Sequence, residues 1–105
     1  MSAHEYRITL EYAGGKHAGP ALHPPLTFNA GNHDDLFDII ENVRRAGLFD
    51  PDTAAALVLG MKLFSEVMLA HRKDPLFAPI AAAYRDYIGE FKARIKAANA
   101  NQDGE

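Results

Sequence analysis

A chain of 105 residues has room for one hydrophobic core, burying about 65% of the surface its unfolded form exposes. With 48% hydrophobic and 24% charged residues it has the make-up of an ordered globular domain, and a formal charge of -3 withholds the basic field from which general nucleic-acid or anionic-lipid binding starts. Zero cysteines exclude disulfides, thiolate zinc sites and cysteine nucleophiles, so stability has to come from packing.

The opening stretch MSAHEYRITLEY lacks the basic-then-apolar succession of a secretory signal. The longest charge-free apolar run, residues 53–61, is half of the roughly 18 residues that a membrane span requires. The expectation is a soluble, cytoplasmic protein with neither membrane nor nucleic acid as partner.

From Tyr6 to Tyr12 apolar side chains alternate with Arg7, Thr9 and Glu11, the pattern of a half-buried strand. Residues 13–25 hold three glycines and three prolines and read as a loop. Leu26, Phe28 and Ala30 then alternate with Thr27 and Asn29 as a second strand, paired antiparallel with the first. Asn32 is placed as the N-cap of a first helix, with Asp34 and Asp35 in the first turn where the macrodipole favours negative charge. Leu36, Ile39, Ile40 and Val43 form its apolar stripe, and Gly47 suits the left-handed residue that ends it.

Asp50-Pro51 opens a second helix, because the carboxylate caps free amides and proline at the first helical position loses no hydrogen bond. Its body is apolar nearly all round, which predicts burial on several sides. Gly60, with Ala56 one turn earlier, predicts close approach of another backbone. Asp74-Pro75 repeats the punctuation, so the second helix is expected to end near Lys73. A third helix, carrying Ile80, Tyr84, Tyr87, Ile88, Phe91 and Ile95, follows after a short turn. The small polar residues 99–105 read as a flexible C-terminal tail to a single domain over 1–98.

Several runs, His33-Asp34-Asp35-Leu36, Ala54-Ala55-Ala56-Leu57, Leu59-Gly60-Met61-Lys62-Leu63, Glu66-Val67-Met68-Leu69 and His71-Arg72-Lys73-Asp74-Pro75-Leu76-Phe77, together resemble a small family of bacterial single-domain proteins of unknown function. The resemblance spans about Tyr6 to Ile95. It implies a stand-alone bacterial domain, and it brings no activity, cofactor or catalytic residue with it. The loop with His17 and His23 lies outside the resemblance at its strongest.

Five groupings bear chemistry. His71, Arg72 and Lys73 offer a bidentate fork beside a second cation, the make-up of an anion or partner site; the plainer reading is a set of cations at the negative end of a helix dipole, closed by Asp74 as the next cap. His33, Asp34 and Asp35 have metal-ligand chemistry, yet neighbours on a helix diverge by about 100° and cannot close a site by themselves. Ser65, His71 and Asp74 supply triad residue types without the strand-to-helix elbow that a nucleophilic serine needs. Gly14-Gly15-Lys16 lacks phosphate-loop spacing, and the basic face with Lys92, Arg94 and Lys96 is interrupted by Asp86 and Glu90.

The fold expected is α+β, a two-stranded antiparallel β-hairpin followed by three α-helices with the second central. No catalytic residue, cofactor or metal is assigned. A lone hairpin is marginal in water and the second helix has more apolar surface than its neighbours cover, so the chain reads as a self-associating, homodimeric interaction module. It offers His71, Arg72 and Lys73 to a ligand or protein partner. The rival reading is a small-ligand or metal-binding enzyme joining His17 and His23 with His33, Asp34 and the His71-Arg72-Lys73 corner.

Overall fold

The computed structural model describes residues 4–16 and 23–103, so His17 lies outside the described residues. Two strands, β1 (His4–Leu10) and β2 (Leu26–Asn32), form an antiparallel pair; three helices follow, α1 (Leu36–Ala46), α2 (Pro51–Ala70) and α3 (Ala78–Asp103). A short 3-10 turn, Pro75–Phe77, stands between α2 and α3. The α+β order expected from the sequence is the order found. The chain divides into two compact units, one ending at His33 and one starting at Asp34.

In the strand unit the register sets Tyr6 opposite Ala30, Ile8 opposite Phe28 and Leu10 opposite Leu26, so one face of the hairpin is apolar. The other face pairs Arg7 with Asn29 and Thr9 with Thr27, whose hydroxyls stand 3.4 Å apart. Leu10, Leu26 and Phe28 are nonetheless exposed. Both strands lie two residues from their expected limits, β1 stopping at Leu10 and β2 continuing to Asn32. The antiparallel ladder extends at the His4 end, where His4 finds Asn32 as partner.

That extension corrects the start of α1. Asn32 is spent as the last strand residue, and the N-cap is Asp35, whose Oδ1 accepts from the amides of Phe37 (3.0 Å) and Asp38 (3.3 Å). Gly47 ends the helix at φ 72° as expected, in a region that side chains with a Cβ rarely adopt. Arg44 Nε donates to the Pro51 carbonyl at 3.0 Å and so ties the end of α1 to the start of α2.

Asp50 caps α2 as expected, its Oδ1 2.7 Å from the Thr53 amide. The Thr53 amide first, and then its hydroxyl, hold the Asp50 carboxyl below the usual carboxylate range. The helix stops at Ala70, three residues before the expected limit, with His71 as C-cap. Asp74 caps the 3-10 turn through the Leu76 amide at 2.9 Å, and α3 begins only at Ala78, with Pro79 in its first turn.

The core of the helical unit is Val43, Ala46, Ala54, Val58 and Ile95, flanked by Ile39, Ile40, Phe91 and Ala98. Full burial of Val43 and Val58 stabilises the unit by about 1.5–3 kcal/mol each. The backbone of α1 lies close to both α2 and α3, whereas α2 and α3 meet through aromatic side chains: Phe64 stands 6.0 Å from Phe77 and 5.3 Å from Tyr84, ring centre to ring centre. Tail fraying from Asn99 is not what is found, since α3 continues to Asp103. Asn99 is buried, and Gln102 Nε2 donates to the Ala46 carbonyl at 2.9 Å, satisfying one of the free acceptors at the end of α1.

Burial of α2 is also narrower than its composition implies. Ala54, Val58 and Met61 are buried along one line of the helix, while Ala56, Gly60 and Val67 on the opposite line are exposed. A Cβ built on Gly60 would meet nothing within 4 Å, so the close backbone approach expected there is absent among the described residues. By length and composition α2 is the one helix among the described residues that could cross a membrane, with a mean hydropathy of 1.6.

Candidate functional site

His71, Arg72 and Lys73 lie in the turn that links α2 to the 3-10 helix, and all three are exposed. The expected dipole match needs adjusting: the last turn of α2 carries no cation, and the two cations follow the C-cap rather than precede it. The corner is held by backbone bonds, from His71 N to the Val67 carbonyl (3.0 Å) and from Asp74 N to the His71 carbonyl (2.9 Å). Its side chains border an open depression of about 360 Å³ between Ala70 and Asp74. Among the described residues neither Arg72 nor Lys73 forms an ion pair. Such a corner can hold an anionic group by charge, with water on the remaining sides.

Asp34 does not join that corner. Its Oδ2 is 2.7 Å from Lys62 Nζ, an ion pair halfway along α2. Nine residues of helix separate Lys62 from His71, about 13 Å of rise. Nor do Ser65, His71 and Asp74 form a nucleophilic array. Ser65 and Tyr84 both donate to the Met61 carbonyl, at 2.6 and 2.7 Å, with their hydroxyls 2.9 Å apart, and Asp74 is engaged as a cap. Ser65 is thus a packing residue that fastens α2 to α3. Among the described residues no three histidine or carboxylate side chains gather as a metal site. His23 packs edge-on against Tyr12 at 4.9 Å.

The larger concavity lies elsewhere in the helical unit, a cavity of about 510 Å³ where α1, α2 and α3 diverge. Its walls are apolar, from Val43 on α1, Val58 and Met61 on α2, and Ile88, Phe91 and Ile95 on α3. Four cations border it, Arg45, Lys62, Lys92 and Lys96, and no carboxylate does. The volume falls within the roughly 300–1,000 Å³ of small-molecule sites. Asn99 sits in the wall and is only 6% exposed; its Nδ2 donates to the Asn42 carbonyl (3.2 Å) and to Asn42 Oδ1 (2.9 Å). Its own Oδ1 is buried with no hydrogen-bond partner among the described residues.

Reading the sequence alone missed this cavity, because Asn99 falls in a stretch whose composition suggests a tail. The available signal was positional: Ile88, Phe91, Ile95, Asn99 and Gln102 continue one stripe at spacings of three and four, so two polar residues occupy a core-facing line.

A family model described as a domain of unknown function with a solved structure, DUF3861, matches residues 4–93. A crystal structure of a protein of unknown function from Pectobacterium atrosepticum is 33% identical, with a TM-score of 0.74, covering 86% of this chain and 97% of that one. No curated protein matches the chain. The chain belongs to the DUF3861 family.

Proposed function

We propose that this DUF3861 protein is a non-enzymatic, cytoplasmic interaction module that works as a homodimer and offers its His71-Arg72-Lys73 corner to an acidic protein partner. The observation that carries the reading is the imbalance of apolar surface. Seven apolar residues are buried among the described residues, against twelve large apolar side chains left exposed, Val67 at 50% and Leu69 at 51% among them. Val67 belongs to an unbroken apolar line along α2, and a contiguous line of that kind marks an interaction surface.

The outward line of α2, Ala56, Gly60, Leu63 and Val67, is the contact assigned to the second copy. It is apolar throughout, and the two small residues one turn apart leave open space for a neighbouring helix. An isologous pair is the commonest way to bury such a line against itself. A bilayer suits α2 less well, because Lys62 sits near its middle with Glu66 one turn on, and a charge at a membrane centre costs about 2.5–3.5 kcal/mol even on the lenient scale. The rival enzyme reading loses support where Asp34 is held by Lys62, away from the corner.

Light scattering over a concentration series tests the first half: the expected mass is twice 11.5 kDa, and a strict monomer at high concentration would remove the reading. For the second half, an acidic peptide titrated onto the protein should bind to the wild type and at least tenfold more weakly to Arg72→Glu/Lys73→Glu. Equal binding by both proteins would rule the corner out.

A further inference from the structure

We infer that the cavity between α1, α2 and α3 is a binding site for a single-chain alkyl phosphate, an amphiphile with a hydrocarbon tail and a doubly charged phosphate monoester head. This goes beyond self-association and beyond the His71-Arg72-Lys73 corner, and it uses a different surface of the helical unit. The tail follows from the walls. Val43, Val58, Met61, Ile88, Phe91 and Ile95 present hydrocarbon from all three helices, so a ligand held among them gains by removing apolar surface from water. Ile88 and Lys96 stand eight positions apart on α3, about 12 Å of rise, which takes a medium-length chain.

The head follows from the border, where Arg45, Lys62, Lys92 and Lys96 line the cavity and no carboxylate does. Lys62 is engaged by Asp34 at 2.7 Å, whereas Arg45, Lys92 and Lys96 form no ion pair among the described residues. These three are neighbours. Arg45 donates to Asn42 Oδ1 at 3.1 Å, and the same oxygen accepts from Asn99 Nδ2 at 2.9 Å, so two successive hydrogen bonds tie the Arg45 guanidinium to the Asn99 position of α3. Lys96 lies one turn before Asn99, and Lys92 one turn before Lys96, on the same face of the helix.

A carboxylate head brings a single charge and leaves most of this cationic edge without a counter-charge. A phosphate monoester carries close to two charges at neutral pH and offers three acceptor oxygens. The Arg45 guanidinium keeps donors to spare beyond the one given to Asn42, and it meets phosphate as a fork while the lysines add point charges. Charge and hydrocarbon are thus combined in one concavity. The corner at Arg72 and Lys73 has the charge without the apolar walls, since Ala70 alone among the residues lining its depression is apolar.

The test is calorimetric titration of the full chain with decyl phosphate, octyl phosphate, decanoate and decyltrimethylammonium, each kept below its micelle concentration, at about pH 8 so that the phosphate is doubly charged. One-to-one binding of decyl phosphate is expected, about tenfold tighter than octyl phosphate because two further methylenes are buried. It should also be about tenfold tighter than decanoate, through the second charge and third oxygen. The cationic amphiphile should not bind. Lys96→Glu, at an exposed position, should weaken decyl phosphate by about tenfold or more. Arg85→Glu makes the same charge change on α3 outside the cavity and should bind as the wild type does, with circular dichroism checking that both variants stay helical. No binding of decyl phosphate at millimolar concentration, decanoate or the cation binding as tightly, no gain from the longer chain, or a Lys96→Glu variant that binds no worse than Arg85→Glu would overturn the assignment.

Discussion

The two faces of α2 are made of the same kind of residue and meet opposite fates. Along one line Ala54, Val58 and Met61 are buried against the rest of the helical unit, with Val58 fully sealed; along the other, Ala56, Gly60 and Val67 stand exposed. Composition makes the helix apolar, but the neighbours decide which apolar line is used within the chain. The used line faces helices whose ends are fastened by specific polar bonds, Arg44 to the Pro51 carbonyl and Gln102 to the Ala46 carbonyl. Along the other line Ala56, Gly60 and Val67 are left exposed, and it is to this face that the proposed second copy is assigned.

This contrast can be broken by substitutions of graded size. Val58→Asp places an unpaired carboxylate in the core, and loss of the folded helical unit is expected by circular dichroism; the milder Val58→Ala should cost about 2 kcal/mol in denaturant unfolding through the cavity it leaves. Asp35→Ala removes two bonds from the start of α1 and should cost about 1 kcal/mol in the same measurement. Val67→Ala on the outward line should change the stability of the isolated chain by less than about 0.5 kcal/mol. If Val67→Ala in dilute, monomeric solution cost as much as Val58→Ala, the two faces would not differ as described.

The smallest effect is expected at Asp50. Its carboxyl is held below the usual range by the Thr53 amide and hydroxyl, so the unfolded chain takes up a proton more readily than the folded one in that window. The contribution is complete above the ordinary carboxylate pKa and is lost as pH falls through the lower folded value. Thermal unfolding of Asp50→Asn, which keeps a capping side chain but does not titrate, should therefore follow a flatter acid limb below about pH 4 than the wild type.

Much of the fold was legible because local chemistry dictates it. Gly47 and Asp50-Pro51 mark the α1–α2 corner, and period-two alternation marks both strands. The errors share a physical cause, that a residue able to do two jobs is assigned by its surroundings. Asn32 can cap a helix or extend a strand, and pairing with His4 decides for the strand. Asn99 and Gln102 look like tail residues until α1 supplies Asn42 and Ala46 as partners. The cavity was illegible for a similar reason. Its walls come from α1, α2 and α3 together, an arrangement that no single helix encodes. Of the candidate residues, His71, Arg72 and Lys73 were placed at an exposed corner by the Asp74-Pro75 start alone, whereas Asp34 and Lys62 meet across 28 positions that no local pattern links.

The outward line of α2 as the contact between copies is tested most directly by sedimentation equilibrium of the wild type beside Val67→Asp. The expected result is a mass of twice 11.5 kDa for the wild type and a folded monomer for the variant. A wild type that stays monomeric, or a variant that remains dimeric, would contradict it.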